Sequence, residues 1–123
     1  MIIVLVFLDI LECKPQEVVT KLYVQSKKMK LEWDKAKAKA NIKRHGVYFE
    51  DAALVFDDPC QISHLDRIEN GEERWQTIGK VGGAVVLLVV HTYIDSIGQE
   101  IVRIVSARRA TKKERKNYEE QNF

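Results

Sequence analysis

Residues 72–114 read EERWQTIGKVGGAVVLLVVHTYIDSIGQEIVRIVSARRATKKE, and this stretch decides the fold. Arg74–Val81 alternates apolar and polar residues, the period of a strand with one buried face. Gly82-Gly83 is a hairpin signal, because glycine enters the positive-φ region without steric penalty. Ala84–Ile94 is apolar almost throughout and predicts a central strand. Asp95–Gly98 supplies another turn, and Glu100–Arg109 a third strand that carries Arg103, Arg108 and Arg109. Thr111 then opens a helix: Thr-Lys-Lys-Glu over 111–114 is a capping box, with side chain and backbone of the two ends bonded reciprocally.

Upstream, Phe49, Ala52, Ala53 and Phe56 recur at helical spacing, so a short helix is expected over Phe49–Phe56, stopped by Asp57-Asp58-Pro59. Lys35–His45 is rich in Ala and Lys, with Asp34 as its N-cap and Gly46 as its terminator. Met29–Asp34 alternates in the strand manner, with Leu31 and Trp33 on one side. Cys60–Gly71 is polar and reads as a strand fragment plus a loop. The order is strand, two helices, three antiparallel strands, helix. The expected class is α+β, with two N-terminal helices and a C-terminal helix packed against one antiparallel sheet.

Residues 1–28 stand apart. Ile2–Leu8 is an Ile/Val-rich run, expected as a buried strand or a short core helix. Pro15 suits a first helical turn, with Val18, Val19 and Leu22 on one face of a helix reaching about Gln25. The apolar run is too short to span a bilayer and lacks the basic leader and cleavage site of a signal peptide, so a cytoplasmic protein with no membrane partner is expected. Cys13 and Cys60 show no metal-ligand spacing; two separate thiols and no metal or other cofactor are expected.

Charge is unevenly spread. Eight basic residues lie between Lys27 and His45 against Glu32 and Asp34, and seven between Arg103 and Lys116 against Glu114. Eight acidic residues between Glu50 and Glu73 face Arg67 alone. The two basic blocks would draw a polyanion if folding joined them; they could equally be solvated helix faces.

Four stretches then carry a resemblance. They are Leu31-Glu32-Trp33-Asp34-Lys35 with Asn41 and Lys43–Val47; Phe49–Ala53 running on to Val55–Pro59; Glu72-Glu73-Arg74 with Ile78-Gly79; and Arg103–Thr111 with Glu114-Arg115 and Tyr118-Glu119. In this order and spacing the chain resembles the BrnT toxins, relatives of the RelE-type ribonucleases. The resemblance covers about Met29 to Glu120, so residues 29–123 are expected to form the toxin domain and 1–28 to be an extra segment: an upstream read-through with Met29 the true start, which is the preferred reading, or a genuine added element. It implies a RelE-like fold, RNA cleavage without metal that blocks translation and growth, and neutralisation by a BrnA-type ribbon-helix-helix antitoxin. Operator DNA would be bound only through that complex. A non-catalytic nucleic-acid-binding module and an inactive partner in a repressor complex are the alternatives.

Metal-free RNA cleavage needs a base for the 2′ proton, cations for charge developing on the phosphate, and an acid for the leaving oxygen. Arg108 is the first candidate for the cation: it ends the last strand just before a capped helix, whose N-terminal N–H groups also favour an anion. An ion pair with the acidic segment is its other reading. Strand parity puts Arg109, and Arg103 with it, on the opposite face. Arg74 could face the same phosphate as Arg108, or pair with Glu72 or Glu73; Glu73 could act as base or orient Arg74. His91 is either a core histidine or an acid–base group. His64 is given little weight. Lys35, Lys43, Arg44, His45 and Arg109 are candidate RNA contacts; His45 could also be an acid–base group or, at a helix C-terminus, a structural cation, and Arg109 could simply be solvent-exposed. Trp33 and Trp75 could stack bases but suit a core, and Tyr118 could donate a proton but suits helix packing.

Overall fold

The computed structural model describes residues 28–122. The readings of Ile2–Leu8, of the helix from Pro15 and of Cys13 lie outside the described residues. The elements run β1 (Lys28–Trp33), α1 (Lys35–His45), α2 (Phe49–Ala53), a 3₁₀ turn (Leu54–Asp57), β2 (Ile62–Glu69), β3 (Glu72–Val81), β4 (Val85–Ser96), β5 (Gln99–Arg109) and α3 (Lys112–Glu119). The strands form one sheet in the order β1-β5-β4-β3-β2.

The caps expected from sequence are in place. Asp34 accepts from the N–H groups of Ala36 (2.7 Å) and Lys37 (3.1 Å), and Gly46 ends α1 at φ 71°. Thr111 and Glu114 form the reciprocal box that starts α3. The expected helix over Phe49–Phe56 is instead α2 followed by the 3₁₀ turn. Gly79 lets that turn press on β3: a Cβ there would sit 2.7 Å from Val55 Cγ1 and 3.0 Å from Val55 O.

Two expectations about the sheet are corrected. It is mixed rather than antiparallel: β1 lies parallel to β5, Lys28 opposite Gln99 and Trp33 opposite Ile104. The intervening helices and hairpins return β5 beside β1 in the same direction. Second, Cys60–Gly71 holds a full strand, β2, paired antiparallel with β3. Its turn is Asn70-Gly71, both at positive φ (53° and 77°). Asn-Gly between strands is the strongest short hairpin signal. Cys60 is disulfide-bonded, contrary to the expectation of two separate thiols.

Helices lie on both sides of the sheet. One face packs Leu87, Val89, Ile104 and Ala107 against Val47, Phe49, Ala52 and Val55, with Trp33 and Ala38 beside them. The other packs Ile62, Ile78, Val86 and Leu88 against Ala110 and Tyr118. We call these the α1 face and the α3 face. Phe49, Ile78, Leu88 and Ile104 are fully buried, and losing a side chain of that size costs about 3 kcal/mol or more.

Two polar side chains finish strands where a neighbour runs out. β1 ends opposite Ile104, and three residues on Asn41 of α1 takes the free edge of β5: its Nδ2 donates to Ala107 O (2.9 Å) and its Oδ1 accepts from Ala107 N (3.1 Å). β2 pairs with β3 no further than Ile78, and Asp58 Oδ2 then accepts from Lys80 N (2.7 Å) and from the Tyr118 hydroxyl (2.6 Å). Tyr118 thereby locks α3 down, which is its packing role.

Candidate ribonuclease site

Arg108 pairs with Leu88 and Arg109 with Leu87, so the two arginines emerge on opposite faces, Arg108 on the α3 face and Arg109 on the α1 face. Here the parity expectation stands. For Arg103 it fails. Val90 pairs with Ser106 and His91 with Ile104, so Val105 is an extra residue in β5. Such a bulge reverses the alternation beyond it. Arg103 therefore shares the α3 face with Arg108, not the face of Arg109.

Arg74 is also on the α3 face, but not beside Arg108. Arg74 pairs with Thr92 and Arg108 with Leu88, four residues apart along β4, or about 13 Å, and the two strands flank β4 on opposite sides. The Arg74 guanidinium lies 3.5 Å from Glu72 and 3.7 Å from Glu69. Its neighbours on that rung are likewise engaged: Arg67 with Asp66 at 2.6 Å and Arg103 with Glu32 at 3.6 Å. The expectation that Arg74 and Arg108 grip one phosphate does not fit this register.

Arg108 is held differently. Its Nη1 and Nη2 donate to the two oxygens of Glu114 at 2.8 and 3.0 Å, and Nη1 also reaches Arg109 O at 3.3 Å. The bidentate pair is the strong form of the arginine–carboxylate bond. It pulls the Glu114 carboxyl below the usual carboxylate range and stabilises the charged guanidinium. Arg108 sits at the N-terminal end of α3, where Thr111, Lys112 and Lys113 are exposed. Its ion pair is local, with the capping residue, rather than with the acidic segment.

Glu73 and His91 are on the α1 face. Glu73 accepts from Trp75 Nε1 at 3.2 Å and points away from Arg108. His91 is 4% exposed. Its Nε2 is bonded to Thr77 Oγ1 (2.7 Å) and its Nδ1 to Thr92 O (2.9 Å), while Phe56 meets the ring edge-on at 5.0 Å. Burial lowers its pKa, so it sits neutral at pH 7. Of its two readings the structure takes the core histidine. Trp33 packs edge-on to Phe49 at 6.1 Å, and Trp75 to Tyr93 at 6.2 Å.

α1 covers the face opposite Arg108, so the two basic blocks do not merge on one face. They approach at one end instead. Asn41 binds Ala107, one turn before Lys43, Arg44 and His45 and two residues before Arg109. All four are exposed, as is Lys35 at the far end of α1. The histidine on the α3 face is His64, on the rung of Gln76, Val90 and Ser106. Reading Asn70-Gly71 as a hairpin would put His64 on a strand opposite Thr77; the irregularity between Leu65 and Arg67 shifts it to Gln76 and onto the α3 face. Among the described residues no group of three His, Cys, Asp or Glu side chains could hold a metal ion, and no helix is long and apolar enough to cross a membrane.

A family model described as "Ribonuclease toxin, BrnT, of type II toxin-antitoxin system" matches residues 33–114. Comparison with curated proteins gives no match. Among solved structures, the 1.1 Å crystal structure of the Brucella abortus ribonuclease toxin BrnT aligns with a TM-score of 0.49 and 22% identity, over 68% of this chain and 99% of that one. The family match runs from the Trp33-Asp34 cap through the Arg108 strand to the Glu114 clamp. The chain belongs to the BrnT family of ribonuclease toxins of type II toxin–antitoxin systems.

Proposed function

We propose that this chain cuts RNA without a metal ion and that Arg108 stabilises the charge developing on the scissile phosphate. The observation that carries this reading is the placement of Arg108: at the end of β5, against the N-terminus of a capped helix, with its guanidinium held rigid by Glu114. A fixed, permanently charged fork of N–H donors suits a phosphate whose oxygens gain charge as the 2′-hydroxyl attacks phosphorus and the 5′-oxygen leaves. The α3 N-terminus adds N–H groups of the same sense.

Lys43, Arg44, His45, Arg109 and, further out, Lys35 are proposed as contacts to the RNA backbone. Lys35, Lys43, Arg44 and Arg109 make no ion pair among the described residues, so their charge is available. Arg74, with its carboxylate partners, and Glu73 and His91, on the far side of the sheet, are not carried into this site. In the proposed cycle the toxin acts in the cytoplasm, blocks translation, and is silenced by a BrnA-type ribbon-helix-helix antitoxin whose complex with it binds operator DNA. A RelE-like ancestry is part of the same reading.

The test is cleavage of RNA by the full chain in EDTA. Wild type should cut, and Arg108→Ala should cut at least about 100-fold more slowly. Loss of cutting by wild type in EDTA, or an unchanged rate in Arg108→Ala, overturns the reading.

A further inference from the structure

The Glu114 carboxylate does two things at once. As the third residue of α3 it closes the capping box: Oε1 accepts from Thr111 N at 2.8 Å, and Glu114 N donates to Thr111 Oγ1 at 3.2 Å. The same Oε1 takes Arg108 Nη1 at 2.8 Å and Oε2 takes Nη2 at 3.0 Å. A capping box needs one carboxylate oxygen; here the second oxygen is spent on arginine. The side chain is 22% exposed, against 37% for Arg108. The carboxylate is thus fixed by the helix start, and it fixes the guanidinium in turn.

Its surroundings make this placement informative. Arg109, Lys112 and Lys113 are exposed and make no ion pair among the described residues. A carboxylate set among them opposes the approach of a polyanion. An arginine left free would instead sample many rotamers, and ordering it on the substrate would consume binding energy. The end-on clamp leaves the Nε–H of Arg108 outside the pair with Glu114.

We propose that Glu114 is a positioning residue for Arg108, holding the guanidinium in the orientation that meets the phosphate in the cutting step while weakening the ground-state hold on RNA. This rests on the ribonuclease role given above to Arg108. It makes rate and affinity move in opposite directions when Glu114 loses its charge, which neither a simple cap nor an inhibitory contact would do.

The experiment compares wild type, Glu114→Gln, Thr111→Ala and Arg108→Ala as full chains. Cleavage of an RNA oligonucleotide gives kcat, binding of the same oligonucleotide in 2′-O-methyl form gives affinity without cutting, and thermal melting gives the folded fraction. Glutamine is itself a capping-box residue, so Glu114→Gln should stay folded. Its kcat should fall about 10- to 100-fold, with tighter binding of the 2′-O-methyl RNA. Thr111→Ala should melt lower and lose less rate per folded molecule than Glu114→Gln, because the Thr111 N–H that holds Oε1 is main chain and the Arg108–Glu114 pair survives. The inference is overturned if Glu114→Gln keeps or raises kcat, if its affinity is unchanged or falls along with kcat, or if Thr111→Ala loses as much rate as Glu114→Gln. An active Arg108→Ala defeats the proposed function itself; an inactive Arg108→Ala beside a fully active Glu114→Gln defeats this inference alone.

Discussion

The two ends of the α3 face carry arginines in opposite electrostatic settings. At one end Arg67, Arg74 and Arg103 lie on a single rung, and each has a carboxylate within 4 Å: Asp66, Glu69, Glu72 or Glu32. At the other end, among the described residues, Arg108 has one carboxylate partner, Glu114, and stands beside cations that have none. The number of arginines on a rung therefore says little about where a polyanion binds. What matters is how many positive charges remain uncompensated, because exposed pairs nearly cancel at the distance of an approaching phosphate.

The sharpest way to break this comparison is to delete one arginine from each end. Arg108→Ala should lower the RNA-cleavage rate at least about 100-fold, whereas Arg74→Ala should lower it less than about 10-fold; equal losses in single-turnover assays would erase the distinction. The next largest effect is on stability. Asn41→Ala removes the amide that fills the open edge of β5 and leaves both main-chain groups of Ala107 buried without that partner, so about 2–3 kcal/mol should be lost in denaturant melts. A mutant within 0.5 kcal/mol of wild type would mean that water or backbone takes over that edge, a figure set by ordinary surface changes.

A third expectation concerns pH. His91 has a folded-state pKa below its unfolded value, with burial as the main cause. The unfolded chain then binds the proton first, so stability is full above the ordinary histidine range and falls as pH drops through it toward the lowered value. Melting midpoints should decline on that acid side, and His91→Gln should flatten that part of the curve; a decline that persists in the mutant assigns it to other groups. The smallest effects belong to the basic end. Lys43→Ala and Arg44→Ala should each weaken RNA binding a few-fold and reduce the salt slope by about one ion or less, while the same change at Arg67 should leave the slope unmoved.

The elements were legible where local chemistry is strong. Asp34, Gly46, the Thr111–Glu114 box and the glycine pair at 82–83 each fix a backbone conformation through a bond or a φ angle belonging to the residue itself. Asn70-Gly71 carried the same kind of information, and β2 was there to be found. The candidate site was legible in part: Arg108 and its opposition to Arg109 follow from alternation alone, because no irregularity separates them.

The sequence by itself determined the limits of α1, the start of α3, the hairpin turns and the arginine at the end of the last strand, since these depend on contacts a few residues apart. Only the tertiary structure decided that β1 runs parallel to β5, that Val105 bulges and brings Arg103 round to the face of Arg108, and that His91 and Glu73 fall on the other side. Those outcomes depend on which strands become neighbours and in what register. One extra residue in a ladder inverts every side chain beyond it, and nothing local in Ile104-Val105-Ser106 announces that the ladder slips there.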